Sequence, residues 1–395
     1  LLYPCLLMAA SASAQNAMTS SPYSMFGLGE MASGLYGQNT SMAGVTVGMR
    51  EGMLMNIENP AGLTALDSCK LFAEASAFVK NERYRSDGSS SNAFTGNFSA
   101  FSLGGRIMRR WYMSAGVTPY SFVGYYFKSS QELEGSPGTF VTSTFSGTGG
   151  LSKAFLSQGF SLTKHLSVGM NLNFIFGNMT LNEIQSAMTV SREMSGRSFY
   201  ADFGLQYHRP IARETFLTVG AIYGYKQRIS LKNTVTVTGS STETPYNQKR
   251  VTQYLPQYIG IGSSLAHKKW TYALDYLFRQ YGVLNSSDSR VKFRDSHELR
   301  LGVCYFPNGF SSSSYWKRMS YKAGVSVSTP YLRLKGQSGG AYRVSVGLGL
   351  PVLNGRINTA FYYDRLQLQG NALRRDIMGF TVTYTLSEKF YQVKL

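Results

Sequence analysis

From about residue 70 onward the chain alternates between apolar residues and polar or small ones with a period of two. Met378, Phe380, Val382, Tyr384 and Leu386 fall on one face of a strand, with Gly379, Thr381, Thr383 and Thr385 on the other. Leu299, Leu301, Val303 and Tyr305 oppose Glu298, Arg300, Gly302 and Cys304; Phe199, Ala201, Phe203, Leu205 and Tyr207 oppose Tyr200, Asp202, Gly204 and Gln206. Successive strand side chains point to opposite faces, so each run is a two-faced strand. The pattern predicts fourteen of them: 70–79, 96–107, 111–126, 146–161, 165–181, 190–208, 214–232, 250–265, 270–282, 293–306, 319–332, 341–350, 356–367 and 376–390. Short links near 108–110, 162–164, 209–213, 266–269 and 351–355, with a longer one at 307–318, alternate with polar links near 80–95, 127–145, 182–189, 233–249 and 283–292. In a soluble sandwich the apolar faces would point inward. Here they continue for about the 9–11 residues that a tilted strand needs to cross a bilayer. Their number is even, and short turns alternate with long loops. The expected fold class is all-β, a 14-stranded antiparallel transmembrane β-barrel over residues 70–395, with both chain ends in the periplasm.

Composition narrows the alternatives. Of 395 residues, 43% are apolar and 15% charged, with 27 Tyr, 24 Phe and 41 Gly. The charge lies below the roughly 25% usual for soluble chains, and so many aromatics exclude disorder. Beyond residue 14 no run of about 18 apolar residues suits a membrane helix. Residues 1–14, LLYPCLLMAASASA, read as a signal peptide that lacks its basic start, with Ala12-Ser13-Ala14 as the cleavage site. Export to a bacterial outer membrane sets nucleic acid aside as the partner of the +18 net charge. Trp111, Trp270 and Trp316 each adjoin a basic pair, Arg109-Arg110, Lys268-Lys269 and Lys317-Arg318, at the short-turn strand ends. Such clusters suit interface anchors facing outer-membrane lipid. Cys5, Cys69 and Cys304 lack metal or redox spacing, and no phosphate loop or nucleophile elbow occurs. The expectation is therefore no metal, no cofactor and no enzyme. Asp295 and His297 sit near the outer rim of strand ten, but consecutive strand residues diverge, so Ser296 and His297 do not meet.

Residues 15–69 do not alternate and are rich in Gly, Ala, Ser and Met. A barrel of this size is too wide for wall side chains to fill, so this segment is expected to fold into the lumen as a hatch. At its end stands Asn59-Pro60-Ala61-Gly62-Leu63. In this position the motif resembles the FadL family of outer-membrane transporters for long-chain fatty acids and other hydrophobic compounds. That resemblance implies fourteen strands, a hatch carrying the Asn-Pro-Ala motif, and passive uptake of a hydrophobic small molecule. The sequence departs from the family's pattern at Arg50-Glu51-Gly52-Met53-Leu54, which bears on the ligand. A PorV-like component of type IX protein secretion resembles the same barrel family and is the alternative, with secreted proteins as partners. A porin for hydrophilic solutes fits less well, because a plug obstructs diffusion.

The third strand contains Pro119 between Gly116 and Gly124. Proline cannot donate to a ladder, and a closed barrel has no edge on which to place it. Pro119 therefore marks either a gap or bulge within the wall, or a position beyond the membrane band. The FadL resemblance implies the first, with a kink that opens the wall sideways. Pro256 and Pro330 are expected at outer strand ends. Lumen-facing charges include Asp202, Asp275, Glu298, Arg300, Lys322, Arg343 and Asp364. They either fasten the hatch or, through Arg300, Lys322 or Arg343, bind a ligand carboxylate.

Overall fold

The computed structural model describes residues 21–389 apart from 33–35, 87–88, 133–137, 186–187, 240–242, 285–290, 308–313, 335–336 and 369–372. The predicted signal peptide lies outside the described residues. Fourteen wall strands run in order: β1 Lys70–Ser86, β2 Ser89–Met108, β3 Trp111–Glu132, β4 Phe140–Ser161, β5 Leu166–Gln185, β6 Met188–Ala212, and β7 as Thr215–Gly224 with Gln227–Thr238. They continue with β8 as Glu243–Leu255 with Tyr258–His267, β9 Trp270–Arg279, β10 Ser296–Tyr305, β11 Ser320–Ser328, β12 Gly339–Val352, β13 Gly355–Leu368 and β14 Arg374–Lys389. Each pairs antiparallel with the next, and β14 pairs with β1 from Lys389↔Lys70 to Arg374↔Arg85, closing the barrel.

The period-two pattern reappears as burial. Ile261, Leu274, Leu301, Val346, Phe361 and Phe380 are exposed on the outer face. Their neighbours Asp275, Arg300, Ser345, Ala360 and Thr381 are buried. Apolar outside and polar inside is the arrangement of a barrel whose solvent is lipid.

The polar links differ from expectation. Residues 80–95, 127–145, 182–189 and 233–249 are largely strand, with β1 and β2 separated only by 87–88. Above the membrane band the outer face meets water instead of lipid, so it carries polar residues and the apolar alternation disappears while the ladder continues. Pro256 is not at an outer strand end; it sits in the break of β8 between Leu255 and Tyr258, facing the break of β7 at Tyr225–Lys226.

The N-terminal segment carries three 3₁₀ turns among the described residues, Pro22–Met25, Gln38–Met42 and Pro60–Ala65. Its contacts run to the inner faces around the barrel. A Cβ at Gly204 would lie 2.2 Å from Asn59 Oδ1, one at Gly220 2.1 Å from Val47 O, one at Gly324 2.3 Å from the Met42 carbonyl carbon, and one at Gly347 2.5 Å from Ser41 Cβ. These inner glycines leave the room that the segment occupies. Met42, Val45, Val47, Met49, Leu54 and Leu63 are all buried there.

Two substitutions test this layout. Val346→Arg, on the lipid face at mid-strand, is expected to lower stability by about 2–4 kcal/mol, read from urea unfolding in lipid vesicles. Gly204→Val is expected to leave the barrel folded but make residues 37–66 protease-sensitive.

Candidate functional site

Asn59 organises the N-terminal segment. Its Nδ2 donates to Val47 O at 2.7 Å and to Leu205 O of β6 at 3.2 Å, while Oδ1 accepts from Ala61 N at 3.2 Å. Pro60 holds Asn59 extended and opens the 3₁₀ turn. Gly62 packs closely against the Asn56 side chain. A second tie is Asp275 on β9, which accepts from Thr46 N at 2.6 Å, Val47 N at 2.9 Å and Gly48 N at 3.4 Å. Gln206 on β6 donates to Val47 O and Met49 O.

The cations that were to fasten the hatch or bind a ligand carboxylate are engaged within the protein. Arg300 donates to both carboxylate oxygens of Glu298, at 2.8 and 3.0 Å, to Gly44 O at 2.6 Å and to Glu58 Oε2 at 3.2 Å. Lys322 reaches Gln38 O and Oε1. Arg343 holds Asp364 through two bonds, at 2.6 and 2.8 Å. Arg356 adds a bond to Glu51 at 2.6 Å. The Glu58 and Glu51 contributions were invisible in sequence, because neither residue lies in an alternating run. Burial pushes the Glu58 carboxyl up, but Arg300, Arg279 and the Thr46 hydroxyl outweigh it and hold the group below the ordinary glutamate value.

The wall is interrupted at Pro119. The β2–β3 ladder runs from Met108↔Trp111 only to Phe101↔Val117. Against β4 the register shifts between Pro119 and Ser121, leaving Tyr120 as the extra residue of a bulge. Above it, Ser121–Tyr125 are buried on both faces. Phe122 meets Phe78 at 6.5 Å between ring centroids and Lys80 Nζ at 5.9 Å. The upper part of β3 thus leans in behind β1 and β2. Its freed edge is partly taken by Glu30–Met31, paired with Phe122 and Ser121. Gly116 permits the close approach of Phe101 O and Phe155, and Gly124 exchanges bonds with the Ser24 hydroxyl.

Two cavities adjoin this break. The outer, of about 200 Å³, is lined by Tyr23, Phe122, Tyr331, Leu366 and Arg343 among others. The inner, of about 120 Å³, is lined by Pro119, Tyr120, Lys153, Tyr200 and Tyr258. They share Met31, Ala32, Arg279 and Tyr281. The charges on the outer cavity are paired: Arg279 with Glu298 at 2.7 Å, Lys80 with Glu82 at 2.9 Å, and Arg375 with Glu30.

The three tryptophans lie at the short-turn end. Trp111 stacks on Phe160 at 6.0 Å, Trp270 packs between Tyr272 and Tyr305, and Trp316 is exposed in the turn Tyr315–Arg318. His297, Ser296 and Asp295 do not converge. Their partners are Tyr276, Thr329 and Gly282 respectively. Cys69 and Cys304 are free thiols.

Asp275→Ala would strand up to three buried N–H donors, each costing about 1–3 kcal/mol. The expected outcome is proteolysis within residues 37–66 of an otherwise intact barrel. Glu58 makes the same segment acid-sensitive. A carboxyl with a depressed folded pKa contributes stability above its unfolded value and loses it as pH falls through the folded one. Protease resistance of the segment is therefore expected to decline below the ordinary glutamate range, and less steeply in Glu58→Gln.

Comparison with known proteins places this geometry. No curated protein matches the sequence. The Pseudomonas putida toluene transporter TodX superposes with a TM-score of 0.59 at 16% identity, covering 91% of this chain and 99% of that one. The Ralstonia pickettii toluene transporter TbuX gives 0.59 at 14% identity over 90% and 98%. A Pseudomonas aeruginosa FadL homologue gives 0.60 at 11% identity over 92% and 100%. At these identities the likeness establishes a FadL-type fold. The family model BamG matches residues 1–394, so the chain belongs to the BamG family.

Proposed function

We propose that the protein is an outer-membrane channel for passive uptake of hydrophobic small molecules, with residues 15–69 as its hatch. The observation that carries this reading is the pair of cavities with shared lining. They lead from the long-loop end to the break beside Pro119 and stop above a segment tied down by Asn59, Asp275 and Arg300. A ligand that cannot pass the hatch has a sideways exit where β3 leaves β2. The apolar outer face supports an outer-membrane location, and the short-turn end with its tryptophans fits the periplasmic side. The named transport activities of TodX and TbuX agree with a hydrophobic ligand.

A second reading, reception of another protein, is favoured by one observation. Among the described residues, β2 above Phe101 has ladder partners only on β1, and Phe94 and Phe98 beside this edge are exposed. An extended segment of a partner could add there as a strand.

Deletion of Tyr120 tests the channel. Without the extra residue the Pro119/Ser121 register runs on, and β3 can rejoin β2. Uptake of radiolabelled toluene by cells carrying this variant is expected to drop to the level of cells without the barrel. Unchanged uptake by a folded variant overturns the sideways exit. A protein that co-purifies in stoichiometric amount and crosslinks to Phe94 or Phe98 favours the second reading.

A further inference from the structure

The outward face of β13, β14 and β1 changes character at the long-loop end. On β14 the outward positions Leu386, Tyr384, Val382, Phe380 and Met378 are apolar and span about the 9–11 residues that a tilted strand needs to cross a bilayer. The next two outward positions are Asp376 and Arg374. Asp376 stands opposite Arg83 of β1 and Arg365 of β13, and Arg374 stands opposite Arg85 of β1. Residues directly opposite in an antiparallel pair share a face, so four guanidiniums gather on the outside of the wall just beyond the apolar band. Arg83 and Arg85 are exposed and alternate with buried Glu82 and Tyr84. Tyr342 and Tyr363, with ring centroids 6.2 Å apart, mark the upper border of the band beside them.

Among the described residues Asp376 is the only carboxylate that pairs with any of these arginines. Its oxygens are both engaged. Oδ1 accepts from Arg365 Nε and from the Tyr363 hydroxyl, each at 2.7 Å, and Oδ2 accepts from Arg374 Nε at 2.9 Å. Both arginine bonds use Nε, which leaves the terminal nitrogens of Arg365 and Arg374 available. The inward cations of the same strands differ, since Arg343 has Asp364 and Arg375 has Glu30. Four positive charges thus stand against one negative on the outer face. Like charges directly opposite, as Arg374 and Arg85 are, weaken a ladder. An anion between them reverses the sign.

We propose that this face binds an outer-leaflet lipid that bears a phosphate monoester, a phosphorylated glycolipid of the lipid A type. Arg85, Arg365 and Arg374 hold the phosphate, and the acyl chains lie along the exposed Phe361, Met378 and Phe380. A phosphate monoester carries about 1.5 to 2 negative charges and three acceptor oxygens, and the planar guanidinium fork matches such oxygens in pairs. At the hydrocarbon border water screens less than in bulk, which strengthens these pairs. The inference rests on the orientation with the long loops outside and is independent of what the lumen carries.

The test is native mass spectrometry of the purified full-length barrel in detergent, titrated with lipid A, with lipid A stripped of its phosphates and with inorganic phosphate. Lipid A is expected to bind at least about tenfold more tightly than the stripped form. Arg85→Gln combined with Arg374→Gln is expected to abolish most of that preference and to leave the stripped lipid unchanged. Heat-modifiable gel migration checks folding, and Arg365→Gln carries the comparison if the double variant does not fold. Equal affinity for the two lipids, or an undiminished preference in a folded variant, overturns the site. So does inorganic phosphate that displaces lipid A at equal concentration, which marks a free-anion site, and so does an acidic protein that occupies the arginines in place of lipid A. A membrane-impermeant maleimide on intact cells tests the orientation separately, through Ser90→Cys beside Arg85. Labelling only after lysis overturns the orientation and the proposal together. Labelling of intact cells without a lipid A preference overturns the site alone and leaves uptake standing.

Discussion

A chain crossing lipid in strands must pair every backbone N–H and C=O within itself, because the hydrocarbon offers no alternative partner. The rest of this molecule follows from that demand. It requires closure, which the β14–β1 ladder provides over sixteen residue pairs. It fixes the register so that apolar residues meet lipid, since a slip of one residue would turn Leu301 inward and Arg300 outward. It also makes the separation of β2 from β3 above Phe101↔Val117 a costly local feature of the wall. The cost is reduced in two ways. Upper β3 moves inside, where Ser121–Tyr125 are buried by protein, and Glu30–Met31 supply a short strand to part of its edge.

The interior obeys the complementary rule, that a buried polar group needs a partner. The N-terminal segment has little regular structure of its own, so the amides and carbonyls that its own turns leave over bond to the wall. Asp275 takes three consecutive amides, Gln206 and Asn59 serve the same stretch of carbonyls, and Arg300 bridges a wall glutamate to Gly44 and Glu58. The glycines at 204, 220, 324 and 347 let backbone approach backbone where these bonds form. Small residues on the inner face are thus not evidence of an empty pore; they are the imprint of what fills it.

This explains which parts could be read from sequence. The fourteen strands were legible because lipid imposes a strict period of two on the outer face. The upper parts of β1 to β8 were not, since an outer face in water carries no apolar period. Pro119 was legible as a disturbance, because proline in a closed wall has only a gap, a bulge or a rim to occupy. That β3 leaves β2 while staying bonded to β4 depends on pairing partners far apart in the chain. The cations were the hardest. Arg300, Lys322, Arg343 and Lys153 all sit on inward faces, and only the fold of the N-terminal segment and the neighbouring strands decides which have partners.

The position of the break relative to the ties carries the last step. Asp275, Gln206 and Asn59 tie the segment away from the lining of both cavities, Arg300 reaches that lining only through Glu58 and Glu298, and the bulge at Tyr120 lies beside the inner cavity. Had the break lain lower, it would have opened onto the tied segment, exposing buried ion pairs such as Arg300–Glu298 to lipid at a large desolvation cost. Closure below and separation above are therefore two halves of one arrangement. The saturated charges hold the N-terminal segment to the wall, and the surface left beside the break carries Tyr36, Tyr120, Tyr200, Tyr258 and Tyr281.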